Sequence, residues 1–252
     1  MSILPGRDKL RTITFLGLPI MGGMLSQSVL NLVDAAMVGS LGSAALAGVG
    51  LGSYLNFMAV ALVMGLGAGV QAMVARRRGE GNTDQLARPL NEGLLIAVVL
   101  AVPLTLIGWF QAANIMAFLT DDAAVQEIGT GYFQWRTLAI VAVGANFAFR
   151  GYWNGIRRTG MYLQILIIMH LLNVLISYGL IFGRFGLPEL GATGSGLGTC
   201  IALFIGTVMY VTMTWRSGRS HGFLGSRPRS REIRAMLRLS LPNSLQQFFF
   251  AT

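Results

Sequence analysis

Acidic residues are scarce in this sequence: 10 Asp and Glu stand against 19 Lys and Arg, and charged residues of both signs make up only 12% of the chain. A soluble globular domain ordinarily carries about twice that share. With hydrophobic residues at 54% and a mean hydropathy of +0.62, the uncharged runs that recur along the chain belong in lipid, so the fold expected is an all-α, polytopic membrane protein. Cysteine is nearly missing. The single Cys200 excludes an internal disulfide, and with 2 His in the whole sequence no Cys/His group has metal-site spacing. No cofactor, zinc chemistry or redox chemistry is expected.

The net charge of +9 could suggest a nucleic-acid partner, but the placement of the bases excludes it. Arg7, Lys9 and Arg11 precede the first apolar run, and Arg76, Arg77, Arg78 and Arg88 follow the second. Arg157 and Arg158 follow the fourth, and Arg216, Arg219, Arg227, Arg229, Arg231 and Arg234 follow the sixth. The alternate connections hold Asp121, Asp122, Glu127 and Glu189, with Arg184 as their base. Bases on every second connection are the mark of cytoplasmic loops, which puts the N-terminus in the cytoplasm and makes anionic lipid headgroups the partner of the basic ends. The leading run is too long for a signal peptide and reads as retained.

The first run, residues 13–38, holds two residues that a plain lipid anchor does not need, Pro19 and Asp34. At 1.5 Å per residue it spans a hydrocarbon layer of roughly 30 Å. Gln27, Asn31 and Asp34 are spaced four and then three apart and so share one helix face. A carboxylate at a helix centre costs about 2.5–3.5 kcal/mol against lipid, so that face is expected to meet water or a partner, either as an ion or ligand site or as structural glue. Pro19 removes a backbone hydrogen bond and is expected to kink the helix in its cytoplasmic third.

The second run, 44–74, is dense in glycine, which suits close helix packing better than a phosphate loop because no strand precedes it. A third run covers 90–110. Residues 111–129 are expected to form a short helix on the outer surface and then a capped helix start. The fourth run, 132–154, carries Arg136 and Arg150 near its ends, where they either snorkel to the interface or pair with an acid. In the fifth run, 161–182, His170, Asn173 and Ser177 stand three and then four apart and make a second polar stripe. A Gly-rich loop opens the sixth run, 192–215, with Ser195 and Thr199 on its early turns.

This organisation divides into a six-helix lobe over 1–215, a basic cytoplasmic linker over 216–230 and the start of a second lobe over 231–252. Laying Pro242 on Pro19 superposes Leu10, Arg11, Ile13, Leu16 and Leu18 on Ile233, Arg234, Met236, Leu239 and Leu241. The expectation is a parallel repeat whose second copy begins here, in a 12-helix, two-lobe protein of about 450 residues.

The residues 33–39 (VDAAMVG) with Pro19 before and Ala47 after, Gly69 to Gln71 followed by Arg78 and Gly79, and above all 183–199 (GRFGLPELGATGSGLGT) carry a resemblance. The chain resembles the multidrug and toxic compound extrusion (MATE) transporters, NorM-type branch, across essentially its whole length. The resemblance implies a secondary antiporter of a bacterial inner (plasma) membrane, monomeric when full length, exchanging H+ or Na+ for small cationic or amphiphilic solutes. It also implies ion coupling at Asp34, with polar partners at Asn173, Ser177 and Thr199, a solute cavity that takes in Gln27, Asn31 and His170, and a bend at Pro19. Na+ near Asp34 is the metal alternative; Ser177, where some relatives carry a second acid or an Asn, weakens a complete sodium site and favours protons. Three other readings are a lipid-linked saccharide flippase of the wider superfamily, an intramembrane serine hydrolase using Ser195 and His170, and a structural subunit without transport. The hydrolase lacks a full nucleophile motif around Ser195.

Overall fold

The computed structural model describes residues 7–225 and 228–251. Nine α-helices follow one another among the described residues: α1 (Arg7–Gly39), α2 (Ser43–Met64), α3 (Leu66–Gly79), α4 (Arg88–Leu119), α5 (Ala123–Leu138), α6 (Ile140–Gly155), α7 (Thr159–Phe182), α8 (Gly191–Gly218) and α9 (Ser230–Ala251). Five stretches are long and apolar enough to cross a membrane by length and composition: Thr14–Gly39, Ser43–Gly79, Thr83–Leu119, Thr159–Phe182 and Gly191–His221. The expected fourth run is supplied by α5 and α6, which meet at Ala139. Their polar residues, among them Gln134, Arg136, Asn146 and Asn154, lower the hydropathy, and they are tolerated because this pair packs against α2, α3, α4 and α8 and not against lipid alone.

The largest core cluster lies where α3, α4 and α6 bring together Val70, Val74, Leu90, Phe149, Tyr152 and Trp153, all fully or almost fully buried. Phe149 stacks on Tyr210 of α8 with ring centroids 5.4 Å apart. α1 stands apart from this packing. Only 11% of its apolar window is buried, against 50% for the α2–α3 stretch, and its main neighbour is α7. It runs helically through Pro19, whose ring leaves the Phe15 carbonyl without its intrahelical donor. The weakest point of α1 therefore lies in the helix that the rest of the lobe holds least.

Two sequence expectations change. Residues 111–119 continue α4 and form no separate short helix, with Ala112 and Met116 fully buried against Phe133 of α5 while Phe118 stays exposed. The capped start is present nine residues before the expected fourth run: the Asp122 side chain accepts from the backbone N–H of Ala124 at 2.9 Å and of Val125 at 3.1 Å. The outer loop after α7 is ordered by its backbone: the Arg184 N–H donates to Gly179 O at 2.9 Å and the Leu190 N–H to Leu180 O at 2.8 Å.

α9 docks on α2 and α3 where Gly65 separates them. The Ser244 hydroxyl donates to Leu62 O at 2.9 Å and accepts from the Gly65 N–H at 3.2 Å, so one side chain serves both sides of the break. At the basic end of α3, Glu232 of α9 pairs with Arg77 and lies 3.6 Å from Arg88 of α4, which lies 3.5 Å from Glu92. Ser244→Ala in the full-length protein is expected to cost about 1 kcal/mol, read as a lower thermal midpoint in detergent. Ser28→Ala, which removes only a 3.2 Å bond to the carbonyl of Met24 in its own helix, should leave the midpoint unchanged.

Candidate functional site

α1 and α7 run side by side in the same direction, and their contacts keep a constant offset. Leu166 packs on Gly23, the Ser26 hydroxyl lies 2.6 Å from His170 Nδ1, and Gln27 Oε1 lies 3.2 Å from His170 Nε2. The two hydrogen-bonded pairs are 144 and 143 residues apart. Continued two turns toward the C-terminal end of α1, that offset projects Asp34 to the level of Ser177 and Leu30 to that of Asn173. α8 packs antiparallel on α7 at the same height, with Gly198 against Ser177. One turn further in, Asn173 Nδ2 donates to Thr199 Oγ1 at 2.8 Å, and the Thr199 hydroxyl donates to Ser195 O at 2.9 Å. α7 and α8 thus bring Asn173, Ser177 and Thr199 into one layer about a helical turn deep, and Asp34 stands on the neighbouring α1.

That layer is short of partners. Asp34 Oδ1, Asn173 Oδ1 and Ser177 Oγ are buried oxygens that no described group hydrogen-bonds. Native proteins rarely leave such atoms unserved, so each marks a place where a proton, a cation or water can complete the bonding. Asp34 is half-buried, Asn173 and Ser177 are fully buried, and among the described residues Asp34 forms no ion pair within 4.0 Å.

The three residues expected around a solute divide. Gln27 and Asn31 are exposed, and the Gln27 amide donates to Asn31 Oδ1 at 3.0 Å, so their stripe faces out of this lobe. His170 is buried with both ring nitrogens engaged by α1, which is the pattern of a hydrogen-bonded packing histidine. That engagement also turns it away from Ser195 and removes the arrangement a serine hydrolase would need.

One residue enters that sequence reading passes over, and it decides how Arg136 is held. Asn56, in the middle of α2, is buried, and with its amide turned to match its surroundings it accepts from Arg136 Nη2 at 3.0 Å and donates to Arg136 O at 3.1 Å. Arg136 is therefore held by a specific partner within the lobe. An amide inside the apolar run 55–64 is the signal that points to it. Arg150, its counterpart on α6, lies over the Tyr162 ring with its guanidinium carbon 5.1 Å from the centroid.

Comparison with known proteins gives consistent results. The MatE family matches residues 19–179. The "Probable multidrug resistance protein NorM" of Agrobacterium fabrum is 30% identical over 237 residues, covering 91% of this chain and 50% of the relative. The "Multidrug resistance protein MdtK" of Klebsiella pneumoniae is 27% identical over 251 residues, covering 96% and 54%. Among solved structures, a MOP superfamily transporter from Pyrococcus furiosus superposes with a TM-score of 0.83 over 94% of this chain and 52% of its own, at 22% identity. At that identity the likeness shows the fold alone. The chain spans about half the length of the curated relatives it matches.

Proposed function

This chain belongs to the MatE family, and from that footing we propose that it forms the ion-coupling lobe of a NorM-type antiporter exporting small cationic or amphiphilic solutes in exchange for H+ or Na+. The observation that carries the reading is the Asp34 carboxylate with an unserved buried oxygen on α1, beside α7, whose Asn173 and Ser177 also carry unserved buried oxygens. Such a group accepts one positive charge at a time, so the coupling ion and a cationic solute compete for it. Filling it changes what α1 packs against, and α1, loosely held and weakened at Pro19, is the element able to bend in response. One elementary charge moved down the membrane potential contributes about 2.3 kcal/mol per 100 mV, enough to drive export when ion and solute are strictly exchanged. The names borne by the NorM and MdtK relatives support multidrug solutes, and a multi-pass bacterial plasma-membrane location with a cytoplasmic N-terminus accords with the basic ends of α3 and α8.

The test uses the full-length protein in proteoliposomes with a fluorescent lipophilic cation. Imposed pH or sodium gradients should drive its movement against its own gradient, and dissipating the effective gradient with an ionophore should stop it. Flux indifferent to both gradients would overturn the reading.

A further inference from the structure

The helix contacts of this lobe close a ring: α1 packs on α7, α7 on α8, α8 on α5 and α6, α6 on α3, α5 on α2, and α2 on α1. α4 packs on α5 and α6 from outside it. On α6 the side toward α4 is marked by Gly144 and Ala148, which meet Ala97 and Gly93. Asn146, Arg150 and Asn154 are spaced four apart and lie on roughly the opposite side of the helix, so their stripe faces the interior of the ring.

The Asn146 amide donates to Leu203 O at 3.2 Å and its carbonyl accepts from the Thr207 hydroxyl at 2.9 Å, which ties this end of the stripe to α8. Asn154 Oδ1, at the other end, is buried and without a hydrogen-bond partner among the described residues. Between them the Arg150 guanidinium carbon lies 5.1 Å from the centre of the Tyr162 ring on α7. Among the described residues no carboxylate lies within 4.0 Å of Arg150 and no group hydrogen-bonds its guanidinium. The side chain is half-buried, so its N–H donors stay open toward the interior. Reaching for headgroups does not account for it. Helical side chains lean toward the N-terminus of their helix, here away from the near end of α6. The Tyr162 ring that Arg150 covers carries its hydroxyl against Gly23, about 13 Å along α1 from Thr14, where the spanning stretch begins. A charge at that depth is costly unless something pairs with it.

We propose that Arg150 is an anion subsite inside the lobe, which takes the carboxylate of zwitterionic solutes, organic cations that also carry a carboxylate. A planar guanidinium grips a carboxylate through two parallel N–H···O bonds, and the Tyr162 face holds that plane in place. Asn154, one turn along the stripe, offers amide N–H groups to the same oxygens. One guanidinium balances one negative charge, which suits a carboxylate better than a phosphate dianion, and a stripe facing the ring interior is turned away from lipid headgroups. The inference rests on the solute-export reading and adds to it a second point of recognition, on a different helix from Asp34.

The test measures binding to the full-length protein in detergent by fluorescence anisotropy, with two probes: a rhodamine bearing a free carboxylate and the methyl ester of the same dye. They share one delocalised cation and differ only in the anionic group. In wild type, benzoate should displace the free-acid dye and leave the ester bound. Arg150→Gln should weaken the free-acid dye about tenfold and should not weaken the ester. Arg150→Lys keeps the charge without the planar fork and should fall between. A packing role for Arg150 on Tyr162 predicts instead that both dyes weaken together. Equal loss for the two dyes, or no loss for the free-acid dye, overturns the inference and leaves the export reading standing. If Arg150→Gln does not accumulate, the wild-type competition decides: benzoate displacing both dyes equally, or neither, overturns the inference. If neither dye binds wild type, the export reading falls and the inference with it.

Discussion

Asp34→Asn in the full-length protein is expected to abolish the proposed gradient-driven export, lowering it on the order of 100-fold or more, while its thermal midpoint should stay within the error of wild type. The substitution keeps size and hydrogen-bonding capacity and removes only the charge. Asp34 makes no ion pair within 4.0 Å among the described residues, so no packed salt bridge is lost. What is lost is the negative charge of Asp34 to which the exchange is proposed to be coupled. A residue with a purely structural role would show the reverse pattern, with lower stability and retained transport. Transport of a lipophilic cation and a melting curve on the same preparation separate the two.

Gly151→Leu is expected to have the largest effect on folding. α6 crosses α3 at Gly151, where an added Cβ would run into the Gly67 carbonyl oxygen and lie 3.1 Å from both the Gly67 carbonyl carbon and the Gln71 nitrogen. These are backbone atoms of a buried helix and cannot swing aside. Overpacking usually costs about 1–3 kcal/mol, and a branched side chain against backbone should reach the upper end or exceed it. The variant should fail to accumulate in the membrane or should melt well below wild type. Gly50→Ala, on the exposed face of α2 with nothing within 4 Å of its added carbon, should fall within about 1 kcal/mol of wild type on either side.

Much of this architecture is legible in the sequence for definite reasons. Each apolar run must satisfy its own backbone in lipid, so hydropathy finds α1, α4, α7 and α8 directly. The polar stripes of α1 and α7 show because their three- and four-residue spacing has no other use in a lipid-facing helix. The outer end of α4 is not legible: residues 111–119 are amphipathic, and the sequence does not tell that α5 begins early enough to cover Met116. Nor is the parallel offset of α1 on α7 written locally, since it comes from Gly23 letting Tyr162 and Leu166 approach. Arg136 is the instructive case. Beside Trp135 it reads as an interfacial residue reaching toward headgroups, and only the distant Asn56 shows that it is held inside. Charge placement along the chain is readable; which buried amide receives a charge depends on helix pairing.

The claim on which the rest stands is that Asp34 holds one positive charge that solute displaces. The direct measurement is ion release on solute binding, made with purified full-length protein in weakly buffered detergent solution with a proton indicator and a sodium electrode. The account predicts that saturating a cationic solute releases close to one H+ or Na+ per wild-type molecule and none from Asp34→Asn. Equal release from both proteins, or solute binding with no release from wild type under conditions where the site is ion-loaded, would contradict it.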